Sequence, residues 1–140
     1  MSYAATSLND REALASNLKA VSDRIVQSGE GELLSKADVQ NLLELSGQAV
    51  EERRVEGRLL AFRTESDWVY PALQFSPGGI DALIQDVLLA HRQDNPWVVL
   101  DVLLAPDAAY GGRSLLDLIR QGDTEAVNRY LAQRDRDGFG

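Results

Sequence analysis

The 140-residue chain contains no cysteine and a single histidine, His91. The lack of cysteine excludes disulfides, zinc knuckles, iron–sulfur clusters and thiol catalysis. With one histidine, sites built from several Cys and His ligands are excluded too, and a Ser-His-Asp triad would have to use His91. No serine or carboxylate stands at a suggestive spacing from it. Because His91 lies near the end of a predicted helix, we interpret it as a C-terminal helix cap.

Long apolar runs are also missing. No segment approaches the ~18–20 apolar residues of a membrane-spanning helix, and residues 1–5 lack the basic and apolar regions of a signal peptide. We therefore expect a cytoplasmic protein without membrane contact. Hydrophobic residues still make up 44% of the chain, which is enough for about one folded domain.

Positive charge is scarce, since 14 Lys and Arg stand against 22 Asp and Glu for a formal net charge of −8. Such a chain cannot hold nucleic acid by bulk positive charge, because neutralising phosphates needs clustered Lys and Arg. Residues 35–63 are the least acidic segment, with five basic and five acidic side chains. This is the segment of the chain that could contact DNA.

Motifs for catalysis are not found either. The pairs Gly78-Gly79 and Gly111-Gly112 lack the further residues of a GxGxxG or phosphate-binding loop. Glu51 and Glu52 are neighbours on a predicted helix, where adjacent side chains point about 100° apart and cannot share a substrate atom. We therefore expect no enzymatic activity, no cofactor and no metal site.

The periodicity of the apolar residues predicts a mainly α protein with one short β-hairpin. An N-terminal helix over about residues 8–27 and a Gly-containing linker form a first unit, 1–31. One face of this helix carries Leu14, Leu18, Val21 and Ile25. A second unit, 32–76, contains two short helices that begin near Ser35 and Gln48 and are joined by a turn with glycine. This outline is that of a helix-turn-helix.

Two β-like runs, Leu59–Phe62 and Trp68–Tyr70, follow the helix pair and predict a wing-like hairpin that Pro71 stops. For residues 77–134 the pattern predicts a compact C-terminal unit of four helices. We expect these helices to begin at Ile80, at Asn95 followed by Pro96, at Ser114 with Asp117 as a capping box, and at Asp123. The last six residues, 135–140, are predicted to be a tail.

The helix that begins near Gln48 would be the recognition helix if the second unit binds DNA. Side chains that could reach bases in the major groove are Gln48, Arg53 and Arg54, and those that could meet phosphates are Arg58 and Arg63. Glutamates of the same helix oppose this interpretation, because a DNA reader prefers neutral or basic residues; they are Glu51, Glu52 and Glu56. Two alternatives stay open, a DNA-binding unit and a helix-turn-helix retained as scaffold or dimer surface.

Short stretches of the C-terminal unit form a recognisable series. They are Asn95-Pro96-Trp97-Val98-Val99-Leu100, Leu103-Leu104-Ala105-Pro106, Gly111-Gly112-Arg113-Ser114-Leu115-Leu116-Asp117-Leu118-Ile119 and Gly122-Asp123-Thr124-Glu125-Ala126-Val127. In this order they resemble the toxin-binding domain of Xre/MbcA/ParS-type antitoxins. Two positions depart from the pattern: Tyr110 stands where leucine is usual, and Leu115 where proline is common.

The second unit is similar to the helix-turn-helix region found in some of these antitoxins, so that the resemblance extends from about Leu33 to Leu131. The stretches that carry this part are 34–46, 53–61 and 69–75.

The resemblance implies an antitoxin of a type II toxin–antitoxin system. Its partner would be a cognate RES-type toxin that consumes NAD, and the antitoxin's C-terminal segment would close the toxin's active site by steric and electrostatic blocking. The toxin-binding residues would then be Arg113, Arg129, Arg134, Arg136 and Phe139. Operator DNA, through which the protein would regulate its own operon, and formation of a homo-oligomer are further expectations. The alternative is a winged-helix-like transcriptional regulator with a C-terminal dimerisation unit.

Three motif positions also have physical interpretations of their own. Arg113 could hold a carboxylate or a carbonyl, either within the domain or on a partner. Gly111-Gly112 permits a tight turn with positive φ. Trp97 opens a helix with an apolar face, which favours a core position over that of an interface anchor.

Overall fold

Helices dominate the structure, a computed structural model that describes residue 13, residues 18–25 and residues 31–137, without the side chains of residues 136 and 137. The α-helices are α1 (residues 18–25), α2 (Lys36–Leu43), α3 (Gly47–Val55), α4 (Ala82–Ala90), α5 (Pro96–Leu104), α6 (Leu115–Arg120) and α7 (Thr124–Asp137). Short antiparallel strands form most of the remaining regular structure. The predicted mainly α class with a short hairpin is therefore confirmed.

Two small antiparallel sheets accompany the helices. Their strands are β1 (Leu33–Leu34), β2 (Phe62–Arg63), β3 (Trp68–Pro71), β4 (Phe75–Ser76) and β5 (Gly79–Ile80). The first sheet has the order β1-β3-β2, and β4 pairs with β5 in the second. The succession α1, β1, α2, α3, β2, β3, with β3 in the middle of its sheet, is the winged-helix arrangement. It contains the predicted helix pair and hairpin, and it adds β1, which the sequence did not indicate.

Local capping defines the helix-turn-helix. Ser35 Oγ accepts a hydrogen bond from the Asp38 amide, and the Asp38 carboxylate accepts one from the Ser35 amide, which is the capping box that begins α2. Beyond α2, Glu44 takes a left-handed φ of 55° and turns the chain. Ser46 then caps α3. Gly47 is already the first residue of α3, so the turn depends on Glu44 and not on glycine.

The hairpin is shorter than the sequence predicts, because one buried side chain occupies two of its backbone groups. Gln74 is fully buried, accepts a hydrogen bond from Leu60 N at 2.8 Å and donates one to Leu60 O at 2.9 Å. Residues 59–61 therefore pair with no strand, and β2 begins at Phe62. Gln74 also donates to Pro71 O at 3.0 Å. Pro71 is the last residue of β3, where it pairs with β1, so the second strand ends at this proline as predicted.

The beginning of α4 also differs from the prediction. The sequence predicts a helix from Ile80, whereas Ile80 lies in β5 opposite Phe75. Gly78 in the turn between β4 and β5 and Gly79 at the start of β5 have φ angles of 94° and 136°, which allow the chain to reverse. Asp81 then caps α4 by accepting a hydrogen bond at 2.8 Å from the amide two residues further on.

Three later helix starts are confirmed. Asn95 caps α5, and Pro96 occupies its first helical position. Ser114 and Asp117 form the capping box of α6. Asp123 accepts a hydrogen bond at 3.2 Å from an amide in the first turn of α7.

Two hydrophobic clusters form the core. The smaller one lies under the helix-turn-helix and consists of Val39, Val50, Leu59, Ala61 and Tyr70. The larger one is built mainly from α4 to α7 and also contains Val21, Ile25, Leu60, Phe62 and Leu73. It crosses the predicted borders at residues 31/32 and 76/77. Packing thus joins α1 and the hairpin to the C-terminal helices.

Some expectations fall on residues outside the described part of the chain. These are most of the N-terminal helix before residue 18, residues 26–30 with most of the linker, and the last three residues of the tail. α7 continues to Asp137, so residues 135–137 of the predicted tail are helical. Among the helices that the structure describes, none is long and apolar enough to cross a membrane.

Candidate interaction surfaces

The outer face of α3, which would enter a DNA groove, is acidic and apolar. Gln48, Glu52 and Val55 are four and three residues apart and all exposed, so they share one side of the helix. Val55 is 73% exposed. This face therefore offers one polar amide, one carboxylate and one apolar side chain, and no guanidinium.

Arg54, predicted to reach DNA bases, is engaged within the protein. Its Nη2 donates to Glu51 Oε2 at 2.9 Å, and its guanidinium lies 4.0 Å above the centre of the Trp68 ring. The side chain is 18% exposed, and Lys36 Nζ adds a second ion pair to Glu51 at 3.7 Å. The hydrogen bond from Arg54 is the main reason why the pKa of Glu51 lies below its usual value. Arg54 thus ties α3 to β3.

The other predicted DNA contacts remain nearer the surface. Arg58 Nη1 pairs with Glu56 Oε1 at 3.1 Å, and Arg63 is exposed on β2 with its guanidinium 5.4 Å from the centre of the Trp68 ring. Arg53 is half-buried and forms no ion pair with any side chain that the structure describes. Arginines therefore flank the outer face of α3 but do not lie on it.

Arg113 holds together the turn that precedes α6. Its Nε donates to Tyr110 O at 2.9 Å, its Nη1 donates to Gln121 Oε1 at 2.8 Å, and its Nη2 lies 3.9 Å from Asp123 Oδ2. Of the two roles that the sequence left open for Arg113, the one within the domain is therefore filled. The glycine pair 111–112 has φ angles of 67° and 85°, as expected for a tight turn.

The predicted toxin-binding arginines of α7 have different surroundings. Arg129 is exposed and lies 3.7 Å from Glu125 Oε1 one turn earlier. Arg134 instead donates from Nη2 to Asp94 Oδ2 at 2.6 Å and from Nε to Ala90 O at 3.3 Å. The Arg136 side chain and Phe139 lie outside the described part of the chain. Arg129 is thus directed to solvent, and Arg134 is directed back onto the protein.

His91 occupies the C-cap position of α4, as predicted, but it is only 3% exposed. Its Nδ1 lies 2.6 Å from Asp94 Oδ2, and its Nε2 lies 2.6 Å from the Tyr130 hydroxyl. Burial lowers the pKa of His91 from its usual 6.5 and outweighs the hydrogen bond to Asp94, which acts in the opposite direction. The ring is therefore mostly uncharged near pH 7, and it occupies the predicted C-cap position as a neutral side chain.

A cleft of about 180 Å³ lies between the end of α3 and the corner between α4 and α5. Arg54 and Trp68 line one side of it, and His91 and Arg92 line the other. At one end Gly57 has a φ of 79°, and a Cβ added there would lie 2.5 Å from Arg92 Cβ. Glycine at position 57 therefore allows the chain after α3 to approach Arg92, which follows α4, this closely.

Trp97 and Val98 form an exposed apolar pair on α5. They are 42% and 48% exposed, so the prediction that Trp97 belongs to the core is wrong. The inward face of α5 is filled by other side chains, namely Val99, Leu100, Leu103 and Leu104. Asp101, one turn after Trp97 on the outward face, was the sequence signal that could have revealed this orientation.

The exposed pair borders a groove between α1 and α5. The groove has a volume of about 380 Å³ and is lined by Arg24, Trp97, Val98, Asp101 and Val102. Arg24 Nη2 donates to Asp101 Oδ1 at 3.1 Å. This surface combines an aromatic side chain, aliphatic side chains and a pair of opposite charges. The aromatic and aliphatic side chains are of the kind found at the centre of protein–protein interfaces, and the charged pair is of the kind found at their polar rim.

No group of three or more His, Asp or Glu side chains that could hold a metal ion occurs among the residues described.

Comparison with known proteins adds one structural similarity. No protein-family model and no curated protein matches the sequence. Among solved structures, the NMR structure of Rv2175c is similar, with a TM-score of 0.59 and 20% sequence identity over 75% of this chain and 82% of that chain. At this identity the similarity shows a shared fold and nothing about function.

Proposed function

We propose that this protein is an antitoxin that binds and neutralises a cognate RES-type, NAD-consuming toxin through its C-terminal helices. The observation that carries the proposal is the exposed Trp97–Val98 pair. Tryptophan is enriched among residues that dominate binding energy, and an aromatic side chain at the edge of an apolar groove provides an anchor for a protein partner. Both residues belong to the stretches on which the resemblance to antitoxins rests.

The charge distribution supports a protein partner. The chain has a formal net charge of −8, and the outer face of α3 adds Glu52 beside Val55. A surface of this kind repels phosphate backbones but is compatible with a toxin whose active site binds NAD, itself an anion. In the proposal the antitoxin acts by covering the active site, and no bond is made or broken by this chain.

The arginines take different parts in this proposal. Arg129, with Arg136 and Phe139 beyond it, contacts the toxin, whereas Arg113 and Arg134 maintain the fold that presents them. We further propose that the protein acts in the cytoplasm as a homo-oligomer, which light scattering of the purified chain would test.

Regulation of the protein's own operon is a second candidate function. The winged-helix arrangement favours it, and Arg53, Arg58 and Arg63 lie where they could meet phosphates on either side of α3. Binding to the operator should weaken steeply with salt, and Arg63→Ala should reduce both the affinity and the salt slope. Salt-independent binding, or no footprint at low salt, would argue for a helix-turn-helix that serves only as a scaffold.

The first proposal is tested by co-expressing the chain with a RES-type toxin encoded beside it and measuring the affinity of the complex. Trp97→Ala should cost about 2 kcal/mol or more, roughly 30-fold in Kd. Val55→Ala is the matched control, since it also shortens an exposed apolar side chain but lies on α3. If the wild-type chain and toxin purify as separate species, or if the two variants bind equally well, the proposal is wrong.

A further inference from the structure

Four side chains connect α7 to the end of α4 in one network, in which His91 is buried while the Asp94 and Arg134 side chains are 31% and 36% exposed. His91 ends α4, Asp94 follows three residues later, and Tyr130 and Arg134 lie one turn apart on the same side of α7. Three contacts of 2.6 Å join them in series: Arg134 Nη2 to Asp94 Oδ2, Asp94 Oδ2 to His91 Nδ1, and His91 Nε2 to the Tyr130 hydroxyl. We call this network the α7 clip.

The protons of the clip can be assigned from its chemistry. Asp94 as a carboxylate only accepts, so Arg134 donates to it and the neutral His91 ring donates from Nδ1. His91 Nε2 then carries a lone pair and accepts from the Tyr130 hydroxyl. Each donor in the series thus faces an acceptor. Loss of Asp94 or Tyr130 therefore leaves one nitrogen of the buried His91 ring without its partner, which couples α7 to the end of α4 through this ring.

The clip matters because, among the described side chains, the apolar packing of α7 against the core ends at Leu131. In the first half Ala126 and Val127 are fully buried against the core. Beyond Leu131, which is half-buried, the described side chains at positions 132, 133 and 135 are exposed. A short helical end without buried apolar side chains is only marginally stable in water. Among the described side chains beyond Leu131, Arg134 is therefore the one that connects the end of α7 to the rest of the protein.

Fixing Tyr130 and Arg134 inward also fixes the rotation of α7 about its axis. Glu125, Arg129 and Gln133 follow each other at intervals of four residues, and all three are exposed. They form an outward stripe on the side of α7 away from the clip.

We propose that His91, Asp94, Tyr130 and Arg134 are positioning residues that hold α7 so that this outward stripe faces the toxin. This role rests on the proposed antitoxin function, because it is the toxin that the stripe would meet. None of the four clip residues needs to touch the partner itself.

Hydrogen exchange of the full chain tests whether the clip holds α7. Asp94→Asn removes the charge that joins Arg134 to His91 and should accelerate exchange of amides 130–137 roughly tenfold or more, with α5 unaffected. Tyr130→Phe removes only a hydroxyl, should fold normally and should accelerate the same amides roughly threefold. Asp86→Asn is the matched control, because Asp86 is an exposed residue of α4 outside the network. Equal exchange in all three variants and the wild type would overturn the clip.

Binding to the toxin tests the positioning role separately. Asp94→Asn should weaken the complex roughly tenfold or more, while Asp86→Asn should leave it unchanged. If Asp94→Asn loosens α7 but binds the toxin as tightly as the wild type, the positioning role is refuted. If the wild-type chain itself binds no RES-type toxin, the proposed function and with it the positioning role fail, and the exchange rates alone still decide whether the clip exists.

Discussion

Replacing Gln74 by methionine should be among the most destabilising conservative changes in this protein. Gln74 is fully buried, and its amide makes three hydrogen bonds to backbone groups: from Leu60 N at 2.8 Å, to Leu60 O at 2.9 Å and to Pro71 O at 3.0 Å. Methionine has a similar length and volume, so packing is largely kept and the hydrogen bonds are lost. The change isolates the polar contribution of this side chain.

The magnitude follows from the groups left behind. One amide and two carbonyls would lose a partner in a buried site, and each such loss costs about 1 kcal/mol, with more where water cannot enter. The sum is about 3 kcal/mol in the free energy of unfolding. For a chain of this length, that corresponds to a fall in Tm of about 10 °C.

Urea unfolding followed by circular dichroism measures this loss directly. The midpoint should fall while the slope of the transition stays unchanged, because the surface exposed on unfolding is the same. Gln93→Met, at an exposed position, is the control and should change stability little. A loss below about 1 kcal/mol for Gln74→Met would show that the hydrogen bonds do not hold the hairpin in the way described.

Three further changes have defined outcomes. Gly57→Ala should lower the free energy of unfolding, measured in urea, by about 2–3 kcal/mol, because a left-handed φ combines with a clash against Arg92. Gly111→Ala is the control, since Gly111 has a φ of 67° but open space around it, and this change should cost about 1 kcal/mol. Equal losses in the two variants would contradict the close approach at Gly57. The pKa of His91 is lower in the folded chain than in the unfolded chain, so as the pH falls below about 6.5 the unfolded chain takes up a proton on His91 before the folded chain does. The free energy of unfolding should therefore fall as the pH is lowered from 7.5 to 5.5. His91→Gln should flatten that dependence, and an unchanged slope would show that another group causes it. Ser114→Ala should lower the free energy of unfolding by about 1 kcal/mol through loss of the α6 capping box, and a neutral result would rule out a stabilising role for this cap.

Features fixed by neighbouring residues were predictable from the sequence. Ser35 with Asp38 and Asn95 with Pro96 both predicted helix starts that the structure has, because a cap and its amide lie within three residues of each other. The helix pair and the tip of the hairpin follow from similarly local signals.

Features that depend on distant contacts were not predictable. Gln74 meets Leu60 across 14 residues, and His91 meets Tyr130 across 39. Neither partner can be read from periodicity, so the shortened hairpin and the α7 clip were missed. Arg134 illustrates the consequence for the candidate site, since the resemblance to antitoxins implies a partner-facing arginine and its contact with Asp94 turns it inward.

The orientation of Trp97 was misjudged for a different reason. An apolar residue at the start of an apolar helix is ambiguous, because four other apolar residues of α5 can fill the inward face. The packing of α5 against α6 turns Val99 and Leu100 inward and Trp97 outward. Asp101, one turn after Trp97, is the signal in the sequence that marks this outward face.

The central claim is that this chain silences a toxin by binding it. A titration of the purified RES-type toxin with the wild-type chain, following NAD consumption, tests this claim most directly. NAD consumption should stop at about one antitoxin chain per toxin active site, and Trp97→Ala should shift the titration to much higher concentrations. NAD consumption that continues unchanged in a large excess of the wild-type chain would contradict it.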